Sequence, residues 1–553
     1  MQLGPNAMTQ IELDVVPVSA ALDDAHVGNI RGALGTILQG DDGPRTSWMA
    51  RFKTLLAILG PGLIVMVGDN DAGAFGTYTQ AGQNYGTVLL WTLLLLVPVL
   101  YVNQEMVLRL GAVARVGHAR LILERFGKFW GAFSVIDLFL LNALTIVTEF
   151  IGISLALDYL GVSRIIGVAA AAVLIMAAAG TGDFRRFERF SLALCVGSLL
   201  LVPIFLMAHP PVATVAHDFV LPQLPEGAKL SDVMLLIIAI VGTTVAPWQL
   251  FFQQSYVIDK RITPRFMRYE RADLWIGIVL VVIGGVAMMS FTAQAFQGQV
   301  EFGNFVDAGA VAAGLGAHVG RAAGILFALA LIDASIIGAS AVSLSTAYAI
   351  GDVLSLKHSL HRKPTEAKGF YMVYCGLIAL AAVLVLTPGT PLGLLTNAVQ
   401  TLAGVLLPSA TVFLLLLCND KAVLGPWVNS ARLNAFTGAV IAVLVLMSMI
   451  LTASVLWPEM GEEAILMILA GGGVAAAVVA MAFAVWQKRS TQGDVPVAGV
   501  LKANWQMPPL AELPPARLSL ASRLWMIVLR GYLLVAGGLV LVRIIQLAMG
   551  GGA

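Results

Sequence analysis

The chain has 553 residues, of which 58% are hydrophobic and 12% are charged, and its mean hydropathy is +0.87. Soluble domains carry about 25% charged residues, so this composition excludes an ordinary soluble protein and indicates a membrane protein. The 33 Lys and Arg residues nearly balance the 32 Asp and Glu residues, so net charge points to no nucleic-acid partner, and we expect none. Cys195, Cys375 and Cys418 are scattered through apolar runs, which fits neither a disulfide framework nor a zinc site. We therefore expect no bound cofactor.

The first 50 residues differ from the rest of the chain. They contain aspartates among small residues and no apolar stretch of the kind found in a signal peptide. We predict that residues 1–50 form a flexible cytoplasmic tail.

Long apolar runs follow from residue 55 onward. A spanning helix needs about 20 mostly apolar residues, and thirteen runs meet that condition. They lie at 55–83, 86–111, 131–159, 162–180, 190–208, 232–257, 273–296, 320–352, 370–387, 392–418, 435–456, 464–486 and 521–547. Arg530 and Arg543 bracket the apolar centre of the last run, so it either spans the membrane or lies in its interface. The pattern predicts an all-α polytopic membrane protein.

Basic residues concentrate in alternate loops. The loops after the second, fourth, sixth and eighth runs hold Arg109, Arg115, Arg120, Arg125, Lys128, Arg185, Arg186, Arg189, Lys260, Arg261, Arg265, Arg268, Arg271, Lys357, Arg362, Lys363 and Lys368. Positively charged loops stay on the cytoplasmic side. We therefore predict a multi-pass protein of the inner (plasma) membrane with a cytoplasmic N-terminus.

The first and sixth apolar runs have polar, helix-breaking interiors. The first contains Gly68-Asp69-Asn70-Asp71-Ala72-Gly73, and the sixth contains Gly242-Thr243-Thr244-Val245-Ala246-Pro247-Trp248. The breaks are five helices apart, and an odd offset gives the two halves opposite orientations in the membrane. This arrangement predicts an inverted repeat with a central site formed by discontinuous helices.

Acidic residues at such a break need a positive partner. Backbone freed from helical hydrogen bonds cannot face lipid, so it lines a cavity where its carbonyls can coordinate a cation. Asp69 and Asp71 are costly at that depth, and neither broken segment contains Lys or Arg. We predict a mobile cation as their partner. The alternative is a kinked structural helix in which an Asp caps the broken end.

Other polar residues lie within the apolar runs. Glu149 in the third run is either a gating or proton-relay group or a helix-packing group. Asn397 and Gln400 in the tenth run either face the cavity or hold helices together.

Several of these motifs resemble the Nramp (natural resistance-associated macrophage protein) family of divalent metal transporters. They are Gly60-Pro61-Gly62, Asp71-Ala72-Gly73, Gln80-Ala81-Gly82-Gln83-Asn84-Tyr85-Gly86, Glu149-Phe150-Ile151-Gly152, Pro247 and Asn397-Ala398-Val399-Gln400. The resemblance covers residues 54–420 and implies the LeuT-like fold. That fold is a 5+5 inverted repeat with discontinuous helices 1 and 6, here followed by two or three extra C-terminal helices.

We divide the chain on this basis. The expected parts are the tail (1–50), a ten-helix transport core (51–420), accessory transmembrane helices (421–487), a Pro-containing cytoplasmic linker (488–520) and a C-terminal transmembrane or interfacial helix (521–553). We expect the protein to act as a monomer in the lipid bilayer.

The sequence departs from the family pattern at both breaks. The family has Asp-Pro-Gly-Asn at the first break, where this chain has Ala72 for the Pro and Ala74 for the Asn. The family's Met-Pro-His at the second break is here Ala246-Pro247-Trp248. The acid that the family carries three residues before Glu149 is Ile146.

Each departure has a chemical meaning. A thioether favours transition metals, so its loss at Ala246 removes discrimination against Mg²⁺. The small Ala74 leaves a roomy site, which suits Mg²⁺ because that ion keeps several waters. The missing His and acid are groups that the resemblance associates with proton movement, so we expect no proton coupling. The pattern is similar to the Nramp-related magnesium transporters, and we expect Mn²⁺ to be carried too.

The predicted site has distinct roles for its residues. Asp71 is the expected principal ligand, and Asp69 attracts the ion or holds part of its water shell. The carbonyls of Gly68 and Thr243 supply further oxygens, and Gln400 binds a metal-bound water. Four residues shape the site: Ala74, Ala246, Pro247 and Trp248.

Three alternatives stay open. A proton-coupled Mn²⁺/Fe²⁺ Nramp transporter and a cation-coupled organic-solute symporter share the fold, although Asp71 argues against an anionic substrate. A receptor-like protein would bind metal without carrying it. We expect no enzyme, because the chain has no HExxH, GxSxG or Walker A motif.

Overall fold

The computed structural model describes residues 20–41, 43–388, 392–457, 461–488 and 499–516, together with single residues between 526 and 542. Its α-helices are α1 (Trp48–Ile58), α2 (Pro61–Gly68), α3 (Ala72–Tyr85), α4 (Trp91–Ala114), α5 (His118–Phe126), α6 (Lys128–Leu160), α7 (Arg164–Ala179), α8 (Phe184–Gly197), α9 (Leu201–Ala208), α10 (Val212–Val220), α11 (Leu230–Thr244), α12 (Pro247–Asp259), α13 (Met267–Phe296), α14 (Ala308–His318), α15 (Arg321–Val353), α16 (Lys368–Leu386), α17 (Leu392–Cys418), α18 (Lys421–Leu424), α19 (Ala431–Leu456), α20 (Glu462–Lys488) and α21 (Gly499–Asn504). Two short strands, β1 (Ile30–Gly32) and β2 (Gly35–Ile37), pair antiparallel with Ile30 opposite Ile37.

Most of these helices are long and apolar. By length and composition, eight helices among the described residues can cross a membrane, or up to ten if each of two bent pairs counts as one span. The prediction of an all-α polytopic membrane protein is therefore confirmed. Most of the last predicted run, 521–547, lies outside the described residues.

Two faces of the helix bundle are defined by their loops. Loops 115–117, 180–183, 260–266 and 354–367 form what we call the basic face. Gln254 donates to the Val116 carbonyl at 2.7 Å, and Arg120 donates to Ser355 Oγ at 2.9 Å, so these loops meet at one end of the bundle. On the opposite face, Gln83 donates to the Glu301 carbonyl at 2.9 Å.

The first spanning helix is interrupted twice. It bends by 51° between α1 and α2, and Gly60 at this bend has a φ of 153°, which favours glycine. Lys260 Nζ donates to the carbonyls of Ile58 and Leu59 at 2.6 and 2.8 Å, and Asp273 accepts from the amide of Gly60 at 3.1 Å. The polar groups that the bend exposes are therefore bound by side chains from α13 and the end of α12.

Lys260 also forms a buried ion pair. Its ammonium lies 2.6 Å from Glu188 Oε1, and both side chains are fully buried. The other oxygen of Glu188 accepts from the backbone amide of Ala33 at 2.5 Å. This pair connects the bend in the first helix with α8 and with the N-terminal residues.

Residues 20–41, which we call the N-terminal strap, lie against the basic face. Asp23 accepts three hydrogen bonds from Arg362, the shortest at 2.6 Å, and one from the amide of His358 at 3.0 Å. Burial alone would raise the pKa of Asp23, but these bonds hold it well below its usual range. Burial lowers the pKa of His358, yet the Asp352 carboxylate outweighs it and raises that pKa to about 9. The strap is fixed by charged contacts.

The strap differs from the flexible tail predicted for residues 1–50. Residues 20–41 and 43–50 are described, and they include the β1–β2 hairpin and the start of α1. The hairpin packs closely, because a Cβ at Gly32 would lie 2.0 Å from the Ala57 carbonyl oxygen. Residues 1–19 lie outside the described part of the chain.

The C-terminal linker also contacts this face. Of the predicted linker 488–520, residues 499–516 are described, and the amide of Met507 donates to the Val113 carbonyl at 3.2 Å. Trp505 packs against Gly425, where a Cβ would lie 2.3 Å from its ring. This part of the linker therefore packs on the bundle.

Close backbone packing holds α3 against α13. A Cβ at Gly82 would lie 2.3 Å from the Met289 carbonyl oxygen, whereas a Cβ at Gly76 in the same helix would meet no atom within 4 Å. The two glycines share one helix and differ only in their neighbours.

We expect Gly82→Ala to destabilise the protein by about 1–3 kcal/mol, because the new methyl overlaps backbone that cannot move aside. Gly76→Ala is the matched control and should be neutral or stabilising, since Ala favours a helix by about 1 kcal/mol over Gly. Thermal unfolding of both variants in one detergent measures this. Equal midpoints would contradict the close packing of α3 on α13.

Candidate functional site

The first break lies between α2 and α3. Asp71 caps α3, since its Oδ1 accepts from the Ala74 amide at 2.9 Å. Within the described residues, no backbone amide donates to the carbonyls of Gly68, Asp69 or Asn70. The predicted alternative, an Asp that caps the broken end, is thus present in the structure. Capping occupies one lone pair of a carboxylate that can accept about four bonds, so Asp71 keeps capacity for a ligand.

The second break lies between α11 and α12. Proline has no amide hydrogen, so Pro247 cannot donate to the carbonyl of Thr243, four residues earlier. No other backbone amide of the described chain donates to that carbonyl. The Tyr78 hydroxyl lies 2.7 Å from Thr244 Oγ1, which joins α3 to α11 beside the two breaks. Each broken helix therefore presents free carbonyl oxygen near the other.

Asp71 and Glu149 form a pair of carboxyl groups. They lie within hydrogen-bond reach of each other, and Glu149 Oε2 also accepts from the Ala72 amide at 3.1 Å. Gly338 of α15 packs against both, since a Cβ there would lie 2.9 Å from Glu149 Cδ and 3.0 Å from Asp71 Cβ. Glu149 therefore belongs to the site and is bound to the first break.

Asp69 faces the second broken helix. It accepts a short hydrogen bond from Gln249 Nε2, and Gln249 Oε1 in turn accepts from Gln104 Nε2 at 2.9 Å. The carboxylate can only accept, so it fixes the orientation of the Gln249 amide, and Gln249 fixes that of Gln104. This chain of three side chains leaves the Gln104 oxygen unused.

Several buried acceptors around the first break have no partner among the described residues. They are Asp69 Oδ2, Asn70 Oδ1, Gln104 Oε1 and Glu149 Oε1. A buried acceptor without a donor costs about 1–3 kcal/mol, and all four atoms are oxygens. The surroundings of the break are therefore suited to a species that donates hydrogen bonds or carries positive charge.

The shaping residues differ in their exposure. Trp248 is buried, and its ring comes within 3.8 Å of the place where a Cβ of Gly68 would lie. Ala74 is fully buried, whereas Ala246 and Thr243 are half-buried. A Cβ at Gly73 would lie 3.2 Å from Asp71 Oδ1 and 3.7 Å from Thr243 Oγ1. Thr243 and Asp71 thus both lie close to Gly73.

The surroundings of the two breaks are packed more closely towards the basic face than towards the opposite face. A Cβ at Gly76 or at Gly242 would meet no atom within 4 Å, and both positions lie between the breaks and the opposite face. Towards the basic face, every residue of α12 is buried, as are residues 103–114 of α4. Towards the basic face these segments are buried at every position, whereas the opposite side has open positions beside the close contact of α3 with α13 at Gly82.

For two predicted site residues, the structure describes the helix but not the side chain. Asn397 and Gln400 belong to α17, but their side chains lie outside those that the structure describes. Gln249, Gln104 and Gly338 were not among the residues predicted for the site. A signal existed for Gln249, because a polar residue in the first turn after a proline-led helix start can reach back to the break.

A cation held here would not have a dense set of protein ligands. Among the described residues, no group of three or more His, Cys, Asp and Glu side chains is placed to hold a metal ion. The site offers the carboxylates of Asp71 and Asp69, free carbonyls and the acceptors above. Such a set suits an ion that keeps part of its water shell.

Comparison with known proteins gives consistent matches. The family model described as natural resistance-associated macrophage protein-like matches residues 62–454. A divalent metal cation transporter MntH of Burkholderia ambifaria is 27% identical over 408 residues, covering 71% of this chain and 87% of that protein. The MntH of Ralstonia nicotianae is 29% identical over 415 residues, covering 71% and 90%.

A solved structure shares the fold. The crystal structure of the Eremococcus coleocola manganese transporter aligns with a TM-score of 0.62 at 20% identity, covering 85% of this chain and 99% of that one. The predicted LeuT-like fold with discontinuous helices 1 and 6 is therefore confirmed. In this chain those helices are α1–α3 and α11–α12.

We expect Glu149→Leu to destabilise the metal-free protein by about 1–3 kcal/mol, because the Ala72 amide and Asp71 then lose a buried partner. Glu149→Gln should stay close to the parent, since its amide can accept from Ala72 and donate to Asp71. Thermal unfolding in the presence of EDTA compares the two. Equal losses of thermal stability in both variants would mean that the contacts of Glu149 with Ala72 and Asp71 do not stabilise the first break.

Proposed function

This chain belongs to the Nramp family, and we propose that it carries Mg²⁺, and also Mn²⁺, across the membrane by alternating access around a partly hydrated ion, without proton coupling. Divalent metal transport rests on the family and on the MntH relatives. The preference for Mg²⁺ and the absence of coupling rest on the chemistry of the two breaks.

The unused acceptors carry this proposal. Water bound to a divalent cation is a strong hydrogen-bond donor, and Asp69 Oδ2, Gln104 Oε1 and Glu149 Oε1 are buried oxygens without donors among the described residues. Mg²⁺ dehydrates reluctantly and binds through one or two carboxylates and several waters. In our proposal Asp71 contacts the ion directly, and the carbonyls of Gly68 and Thr243 complete its shell.

The second break supplies no soft ligand. Ala246 and Trp248 flank Pro247 there, and neither side chain coordinates a metal. Oxygen ligands suit Mg²⁺ and Mn²⁺, whereas a thioether would select softer ions. Among the remaining predicted residues, we propose that Gln400 binds a metal-bound water and that Asn397 lies beside it.

Alternating access requires that the site be open to only one side of the membrane at a time. A Cβ at Gly76 or at Gly242 would meet no atom within 4 Å, whereas α12, which leads to the basic face, is buried along its whole length. We propose that the basic face is cytoplasmic, by the positive-inside rule, and that the conformation described is open to the outside. Because a single chain supplies every proposed ligand, we propose that the working unit is a monomer. We place it in the plasma membrane and propose no enzymatic step.

A proton-coupled Mn²⁺ or Fe²⁺ transporter is the second candidate. Asp71 and Glu149 approach within hydrogen-bond reach, and two carboxyl groups that close share a proton. A cation that binds Asp71 would displace this proton. The relatives named as divalent metal transporters and the manganese transporter of similar fold support the same reading.

Flux into proteoliposomes separates the two candidates. We expect Mg²⁺ and Mn²⁺ to enter without acidification of the interior, read from a trapped pH dye. Asp71→Asn should lower ion affinity at least about tenfold, because a charged contact contributes about 1.5–3 kcal/mol. The matched control is Asp333→Asn in α15, which changes a carboxyl that packs against Gly197 of α8, away from the breaks.

The outcomes are distinct. Mn²⁺ entry with acidification and no Mg²⁺ entry would establish the proton-coupled mechanism. Full flux by Asp71→Asn would contradict the site assignment, and protection of the protein against heating by an organic amine but by no metal would indicate an organic-solute carrier.

We expect Ala246→Met to shift the preference several-fold towards Mn²⁺ over Mg²⁺, because it introduces a soft sulfur ligand beside Thr243. Ala246→Leu is the control, since Leu and Met are similar in volume and only Met carries sulfur. Competition between the two ions for uptake measures the shift. The same shift with Leu would mean that the size of the side chain, and not its chemistry, sets the preference.

A further inference from the structure

A cavity of about 260 Å³ opens at the basic face, and none of its lining residues belongs to the two breaks. Three parts of the chain that are distant in sequence form its walls. They are the N-terminal strap, the loop after α12 at residues 261–266, and residues 503–506 of the C-terminal linker. Arg115, which follows α4, completes the wall.

Arg115 is a half-buried arginine whose charge no carboxylate of the described chain balances. It is the C-cap of α4 with a φ of 55°, a left-handed backbone conformation that fixes where its side chain begins. The residue is half-buried, and its guanidinium makes no hydrogen bond or ion pair within the described chain. Burial lowers the pKa of Arg115, and no neighbouring carboxylate offsets this. A half-buried guanidinium at the wall of a cavity, with no carboxylate beside it, is suited to bind an anion.

The other charged groups on the walls leave the cavity positive. Arg261 donates to the carbonyls of Ala25 at 2.7 Å and Asn29 at 3.1 Å, which carry no net charge. Asp41 is the one acidic residue of the described wall, and it is held by Arg45 at 2.7 Å. Burial lowers the pKa of His26, so His26 adds no positive charge near neutral pH.

We propose that this cavity binds a phosphate-bearing anion, with Arg115 as its principal contact. A planar guanidinium matches two phosphate oxygens at once, and Arg261 adds positive charge from the loop after α12. Gln39, Asn504 and Gln506 supply neutral amides to the remainder of the ligand. The same chemistry fits a soluble organic phosphate or pyrophosphate and the headgroup of an anionic lipid.

Such a ligand would connect moving parts of the protein. The strap contacts Glu188 and Arg362, and the loop after α12 continues directly from the second broken helix. An anion between the strap, this loop and residues 503–506 would hold the basic face closed. Binding should therefore slow backbone exchange in the strap.

Calorimetry with inorganic pyrophosphate on the purified full chain tests the site, in uncharged detergent with EDTA so that no transported ion is present. We expect Arg115→Gln to weaken binding about tenfold or more, and Arg115→Lys to retain part of it. Gln506→Glu places a carboxylate on the exposed rim and should also weaken binding, without disturbing buried packing. Arg268→Gln is the control, since Arg268 is an exposed arginine outside the cavity wall.

A second arm separates the two sources of phosphate. The same variants are compared in nanodiscs of phosphatidylglycerol and of phosphatidylcholine, with hydrogen–deuterium exchange followed at residues 26–41 and 503–506. Protection by pyrophosphate in detergent supports a soluble ligand, and protection only by phosphatidylglycerol supports a headgroup, provided that Arg115→Gln removes it. No protection by either, or protection unchanged in Arg115→Gln and Gln506→Glu, would overturn the proposal.

Discussion

Backbone carbonyls without donors, placed in the middle of two membrane-spanning helices, are the constraint on which the rest of this structure depends. Polar backbone cannot face hydrocarbon, so the breaks after Gly68 and Thr244 must be surrounded by protein and by a cavity. Three helices meet this requirement in different ways. Glu149 of α6 binds the free Ala72 amide, Gly338 lets α15 approach closely, and Gln249 of α12 binds Asp69.

The two broken helices are also linked at the basic face. Lys260 follows α12 immediately, and its ammonium holds the carbonyls of Ile58 and Leu59 at the end of α1. The same ammonium pairs with Glu188, which holds the strap through the Ala33 amide. Breaking one member of a fully buried pair leaves a charge that costs about 3–5 kcal/mol. The halves of helices 1 and 6 on this side are therefore expected to move together, and the strap must yield when they do.

The sequence was sufficient to predict the fold, the two breaks and the residues within them. Asp71 could be found because a carboxylate stands out in the middle of an apolar run, Gly68 because it directly precedes the polar segment Asp69-Asn70-Asp71, and Pro247 because it follows the polar Gly242-Thr243-Thr244. Gln104 and Gly338 could not be found in this way. Their importance comes from what other helices bring beside them, and neither residue type is unusual in a membrane helix. The strap was missed for a related reason, since Asp23 and Ala33 are held by Arg362 and Glu188, which lie far away in the chain.

In the proposed site, selectivity would depend on geometry as well as on the identity of the ligands. Where an ion keeps part of its water shell, some protein oxygens bind a water instead of the metal, so the preference also follows from the size of the hydrated ion and from how rigidly those acceptors are held. Asp69 is held by Gln249, which is held by Gln104, and Asp71 is held by the Ala74 amide. Trp248, buried beside Gly68, restricts the space on the side of the basic face. A smaller side chain there would leave the carboxylates in place but loosen the water shell, so discrimination between Mg²⁺ and Mn²⁺ should depend on this ring, although it cannot coordinate either ion.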